Sequence, residues 1–312
     1  MIVTDKFALM HMHKTGGQSL GHILHDSIPG LQHVGYHYPF HMLPQQHADL
    51  PVVGMVRNPW DWYISWYAVN TRPEVSNPLF FIISDGFQAD FRRTISNLVN
   101  LPSDLPESRN YRKALIDILP DTLEGNAGVG LTRDCIRGME QCGVGYYSWQ
   151  FRRMHGDLDN PRLHIGRFEN LQGDFLDIMQ SLGVEQYDAI KTGFSEKPRH
   201  NTSRHSHYSK YLDAELRDLI AEREAELIER YDYHFEQDSS DDATIEFAPI
   251  QIGYRKDSFH KLSGEARNFL LLKPEVDLSF IKRKLARSPN ARGSVPGENK
   301  PTRCTSRPRR CC

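Results

Sequence analysis

No stretch of this 312-residue chain approaches the roughly eighteen uninterrupted apolar residues that cross a bilayer as a helix. The opening Met1-Ile2-Val3-Thr4-Asp5-Lys6 lacks the basic-then-apolar order of a secretory leader. Neither a membrane span nor secretion is expected. Cysteine is scarce: Cys135, Cys142, Cys304, Cys311 and Cys312 form an odd set without the paired spacing of a zinc site. Reduced thiols in a cytoplasmic setting fit that set, with no metal. Net charge is also small, at -2, but residues 282–312 hold ten Lys or Arg against Glu298 alone, a local +9 that leaves -11 on the rest. A nucleic-acid binder would carry such an excess on its folded body. Here it sits in a Pro-containing tail whose composition predicts disorder, so nucleic acid is not an expected partner. Arg309-Arg310-Cys311-Cys312 also admits a lipid anchor, the alternative to a tail that merely contains cysteines.

What is present is ordinary globular composition, 39% hydrophobic and 25% charged, enough for one large domain with extensions. Lys6 to Met12 is a short apolar run ending in His13-Lys14-Thr15-Gly16-Gly17, after which Ser19, Leu20, Ile23 and Leu24 predict a helix. Gln32 to Gly35 predicts a second strand. Pro51 to Val56 is nearly all apolar, as in a strand buried on both faces, which implies parallel neighbours. Pro59 then suits the first position of a helix through Trp60, Tyr63, Ser65 and Tyr67. Residues 75–150 carry helical stretches such as Phe87 to Leu98 and Tyr146 to Met154, which predicts a helical insertion. Leu163 to Phe168 predicts another buried strand, followed by a helix marked by Phe175, Ile178, Met179 and Leu182. Leu212, Leu216, Leu219, Ile220, Leu227 and Ile228 mark one face of a long amphipathic helix ending near Tyr231, expected to pack on the sheet. This alternation predicts an α/β fold with a central, mainly parallel sheet flanked by helices over residues 1–235. A C-terminal extension over 236–281, with strands within Thr244 to Tyr254, and a tail over 282–312 with a weak helix at Phe280 to Leu285 would follow.

Chemistry concentrates at two strand ends. Gly16-Gly17 lets backbone amides approach an anion, the following helix adds its positive end, and Lys14 adds a mobile charge. A lone Gly-Gly turn would more simply serve close packing, but the run Lys14-Thr15-Gly16-Gly17-Gln18-Ser19 supplies charge, hydroxyl donors and backbone access together. The lysine precedes the glycines, the wrong order for a P-loop ATPase. Arg57 ends the second apolar strand, and Ser65 lies eight residues on, more than two helical turns. A guanidinium grips a phosphate bidentately and a serine adds a neutral donor, so the two suit a second phosphate. Trp60, Tyr63 and Tyr67, like Trp62 and Trp66, recur at helical spacing and are expected in the core rather than as a stacking surface.

His11-Met12-His13-Lys14-Thr15-Gly16-Gly17-Gln18-Ser19-Leu20 resembles the 5′-phosphosulfate-binding motif of the sulfotransferase family, and Val56-Arg57-Asn58-Pro59 through Tyr67 resembles its 3′-phosphate-binding motif. Weaker likeness runs through Arg167-Phe168-Glu169-Asn170-Leu171, Asn201-Thr202-Ser203 and Tyr231-Asp232-Tyr233-His234-Phe235. The resemblance implies a three-layer P-loop-like fold and metal-independent transfer of a sulfuryl group from 3′-phosphoadenosine-5′-phosphosulfate to a hydroxyl or amine acceptor. Lys14, Thr15, Gly16, Gly17, Gln18 and Ser19 would then hold the 5′-phosphate, with Lys14 on the leaving oxygen, and Arg57 and Ser65 the 3′-phosphate. His13 departs from the pattern, which commonly has proline there.

A hydroxyl acceptor needs a base titrating near neutrality. His37, after the second strand, is the first candidate and His41 the second; His33, His11 and Glu169 rank below, the histidines expected inside strands and Glu169 as a helix cap. Arg199, His200, Asn201 and Ser203 form a late polar loop that closes over the nucleotide in this family or is simply solvated. Acceptor choice is expected in the helical insertion. Two rivals stand beside this reading: a P-loop-type kinase, which needs an acidic Mg²⁺ ligand after a strand, and a non-catalytic nucleotide-binding scaffold.

Overall fold

Among the residues described by the computed structural model (1–72, 77–123, 130–139, 143–196, 205–238 and 245–247), five strands form one sheet. They are Ile2–Val3 (β1), Ala8–Leu9 (β2), Gln32–His33 (β3), Val52–Val56 (β4) and Leu163–Arg167 (β5), in the order β3-β1-β2-β4-β5. The β2–β4 and β4–β5 pairings are parallel, as the apolar run at 51–56 predicts, and all five residues of β4 are buried. β1 pairs antiparallel with both β2 and β3, so the sheet is mixed rather than mainly parallel in its pairing. The cause is a tight turn: Thr4 Oγ1 accepts from the amides of Lys6 (3.1 Å) and Phe7 (3.0 Å), folding the first residues back onto β2. Two residues leave no periodicity to read, and β1 is invisible in the sequence.

Alternate strand residues serve different cores, as the period-two pleat requires. Leu9, Val53 and Met55 pack with the helices Gly17–Ser27 (α1), Leu171–Ser181 (α8) and Tyr187–Glu196 (α9), while Ala8, Met10 and Val52 pack with Met1 and Val3. A larger, mainly helical core, which Val56 of β4 and Met12 also join, lies beside the sheet. It is built from Pro59–Asn70 (α2), Pro78–Ile83 (α3), Phe91–Val99 (α4), Pro106–Ile118 (α5), Arg133–Arg137 (α6) and Tyr146–His155 (α7). Among its described residues the expected insertion carries helices joined by turns, and no strand. Trp60, Trp62, Tyr63, Trp66 and Tyr67 are all buried in that core rather than presented as a stacking surface. The helix expected from Phe87 starts at Phe91, because Asp90 caps it by accepting from the Arg93 amide at 2.8 Å.

The long helix expected over Leu212 to Tyr231 is two helices, Ala214–Arg223 (α10) and Ala225–Arg230 (α11), broken at Glu224. Their buried residues join the helical core with α2 and α4 and not the sheet. The break has a visible cause. The fully buried Glu224 carboxylate accepts from the amides of Tyr147 (3.1 Å) and Ser148 (2.7 Å), from Ser148 Oγ (2.5 Å) and from the Tyr63 hydroxyl. One side chain thus turns the chain and caps the start of α7. The loop at Arg199 to Ser203, the strand candidate from Thr244 apart from 245–247, Phe280 to Leu285, the tail and all cysteines but Cys135 lie outside the described residues.

Candidate active site

β2 and β4 are parallel neighbours, so the turns that leave their C-terminal ends lie side by side, where open α/β sheets place ligands. The first turn carries His13 to Gly16 into α1, and the second carries Arg57 and Asn58 into α2. They touch directly: Arg57 Nη1 donates to the Lys14 carbonyl at 3.1 Å. The same nitrogen donates to Ser65 Oγ at 2.9 Å, joining the two residues expected on one phosphate.

The glycine turn is shaped for close approach. Gly16 caps α1 at φ 79°, a left-handed conformation, and brings no side chain to the helix start. A Cβ on Gly17 would fall 2.1 Å from the His11 ring, so any side chain there must displace that ring. Thr15 is buried, its hydroxyl donating to the Met12 carbonyl at 3.2 Å, while Gln18 is exposed and Ser19 half-buried at the helix start. Lys14 itself has φ 62°, strained for a side-chain-bearing residue. Burial, reinforced by Arg57 and Arg72 and opposed by Asp61, lowers the Lys14 ammonium to about 8. A half-buried lysine made uncomfortable by two further cations is an electrostatic site that an anion relieves.

The second turn is bound more tightly than its sequence suggests. Asp61, four residues on, takes Arg57 Nε at 2.8 Å and Nη2 at 2.6 Å. Phe168 lies under the guanidinium at 4.3 Å, and the Tyr147 hydroxyl bridges the Arg57 amide (2.8 Å) and carbonyl (3.1 Å). The guanidinium is enclosed, with a side chain 6% exposed, and an anion reaching it must share it with Asp61. Glu169 is not a helix cap: its Oε1 accepts from the Asn58 amide at 2.7 Å and its Oε2 from the Tyr233 hydroxyl at 2.9 Å. Two of the segments with weaker likeness, at Phe168–Asn170 and around Tyr233, thus converge on the β4–α2 turn and hold it.

The histidines form a stack over the first turn. His37, at φ 56° and buried, lies 3.5 Å from the His13 ring and 4.5 Å from His11, centroid to centroid. Its Nδ1 lies 2.6 Å from the His11 carbonyl, which only accepts. Nδ1 therefore carries the proton and Nε2 the lone pair. Burial, then the neighbouring His13 and His11, hold His37 well below the usual histidine range, against that hydrogen bond. His11 follows β2 rather than lying within it, and burial brings it to about 3; His33 lies in β3, exposed. His41 is also exposed, in the short 3-10 turn Phe40–Met42.

Asp61, Phe168, Tyr147 and His205 complete the neighbourhood. Asp61 carried a readable signal, its four-residue offset from Arg57; Tyr147, 90 residues away, carried none. His205 Nε2 is buried without a hydrogen-bond partner, and burial lowers its pKa against the hydrogen bond to Ser206, with smaller effects from Asp61, Arg57 and Lys14. Among the described residues no group of histidine, cysteine and acidic side chains is arranged to hold a metal, and no helix is long and apolar enough to cross a membrane. Comparison with protein-family models, with curated proteins and with solved structures found no match.

Proposed function

We propose that this chain is a sulfotransferase of P-loop-like architecture, moving a sulfuryl group from 3′-phosphoadenosine-5′-phosphosulfate to a hydroxyl or amine. The observation that carries the reading is the meeting of the two turns: Arg57 spans from the Lys14 carbonyl to Ser65 and ties a glycine-lysine turn to a second cation. Two cations on adjacent strand ends, Lys14 and Arg57, suit a nucleotide phosphorylated at both 5′ and 3′ ends.

In this reading the start of α1 and Thr15 to Ser19 hold the 5′-phosphate, and Arg57 and Ser65 hold the 3′-phosphate. The acceptor oxygen forms its bond to sulfur as the bond from sulfur to the 5′-phosphate oxygen breaks. Lys14 neutralises the charge growing on that leaving oxygen. In this reading His37 Nε2 takes the acceptor proton, its orientation fixed through Nδ1, although burial holds it below the near-neutral range such a base needs. A kinase is less well supported, because Asp61, the acid at the second turn, is bound to Arg57 instead of standing ready for Mg²⁺.

Conversion of the donor to the 3′,5′-bisphosphate in the presence of simple hydroxyl and amine acceptors tests this. Lys14→Ala should lower turnover by about 10²–10³-fold while nucleotide binding is largely kept. Unchanged turnover removes Lys14 from the mechanism.

A further inference from the structure

Gln150 is a polar side chain that the proposed mechanism does not use and the fold does not explain. It lies in the middle of α7, 1% exposed, and neither its amide oxygen nor its amide nitrogen has a hydrogen-bond partner. Burying an unsatisfied amide is unfavourable, and a leucine of similar size would avoid that cost. One turn later on the same face stands Arg153, half-buried, with Nε and Nη1 buried and unpartnered. A helix C-terminus accounts for a cation there, but not for guanidinium donors left unmade, nor for the amide beneath.

The remaining residues of this face are Tyr146 and Trp149, buried, their rings 5.6 Å apart, with Arg153 5.9 Å above the Trp149 ring. The exposed His41 faces the same arginine, whose charge, after burial, lowers its pKa. The face also leads to the proposed chemistry. Tyr146 lies 6.2 Å from the Trp62 ring, and Trp62 Nε1 donates to the His13 carbonyl at 2.9 Å, next to Lys14.

We propose that the α7 face of Tyr146, Trp149, Gln150 and Arg153 is the acceptor subsite, and that the acceptor carries an anionic group, a carboxylate or sulfate ester, beside the hydroxyl to be modified. Arg153 grips the anion, Gln150 hydrogen-bonds the polar group next to it, and the buried Trp149 ring supports the guanidinium from beneath. The acceptor role rests on the sulfotransferase reading; the anion preference does not.

The test uses the full chain and three probes that share one aromatic sugar: 4-nitrophenyl glucuronide, the 6-sulfate of 4-nitrophenyl glucoside, and neutral 4-nitrophenyl glucoside. Binding is followed by calorimetry with and without 3′-phosphoadenosine-5′-phosphate. One or both anions should bind at least about tenfold more tightly than the neutral glucoside, and which of them does so separates carboxylate from sulfate ester. Arg153→Ala should abolish that preference while leaving bisphosphate binding unchanged. Gln150→Leu should weaken probe binding while keeping or raising thermal stability, the opposite of a residue retained for structure. Equal binding of the neutral probe, no binding of either anion, or a destabilised Gln150→Leu with undiminished probe binding overturns the subsite. Failure of the bisphosphate to bind wild type, with anion preference intact, removes the sulfotransferase reading and leaves an anion site of another enzyme.

Discussion

Lys14 and His37 share a backbone conformation that side-chain-bearing residues rarely take, with φ 62° and 56°. Each such residue costs on the order of 1–2 kcal/mol, and such strain clusters at functional sites. Their titrations give the proposed mechanism a pH signature. His37 acts only when neutral, and its lowered pKa moves the acid limb of kcat/KM well below 6.5; Lys14 acts only when charged, and kcat/KM should fall as pH rises through about 8. A pH–rate profile that falls through 6.5 on the acid side, or is flat through 9, contradicts these roles. Gly17→Ala drives a methyl to 2.1 Å from the His11 ring and should cost about 1–3 kcal/mol in urea unfolding, along with loss of donor binding. Unchanged stability means that His11 yields and the turn is looser than its geometry indicates.

At the scale of elements, what was legible in the sequence was local. The Gly16-Gly17 turn, the Asn58-Pro59 helix start and the apolar 51–56 strand each write their signal within a few residues, and each stands where expected. Pairings between distant residues were not legible. Glu224 sits 161 residues from Tyr63, and nothing near it announces that its carboxylate will break a helix. β1 was missed because it is two residues long, and the cap on Glu169 was wrong because its true partners, Asn58 and Tyr233, lie 111 and 64 residues away.

Glu224 also makes a prediction about the helical core. Burial pushes its carboxyl up to about 7, against the hydrogen bonds from Ser148, Tyr63 and Tyr147 that favour the charged form. The folded chain therefore holds this proton more tightly than the unfolded one. The stabilisation is complete below about 4.5 and is lost as pH rises to 7, up to about 3 kcal/mol relative to Glu224→Gln. Chemical denaturation of both proteins between pH 4.5 and 8 measures it, and a difference that grows more favourable to wild type with rising pH reverses the sign.

Across the whole molecule, a mixed α/β sheet and a separate helical core meet at the ends of β2 and β4, where α7 crosses from one to the other. Tyr147 holds Arg57 from that helix, and Gln150 and Arg153 follow at three-residue steps along it, so the donor and acceptor halves of the proposed site share one element. The shape of the glycine turn could be read from sequence because it is a property of the backbone. The enclosure of Arg57 by Asp61, Phe168 and Tyr147 could not, because it is assembled by the fold.

Calorimetric titration with 3′-phosphoadenosine-5′-phosphate, in the absence of metal, tests the central claim most directly, with ATP plus Mg²⁺ and Arg57→Ala as controls. Micromolar binding of the bisphosphate, weakened at least about tenfold in Arg57→Ala, is the predicted result. Preference for ATP with Mg²⁺, or bisphosphate binding indifferent to Arg57, contradicts it.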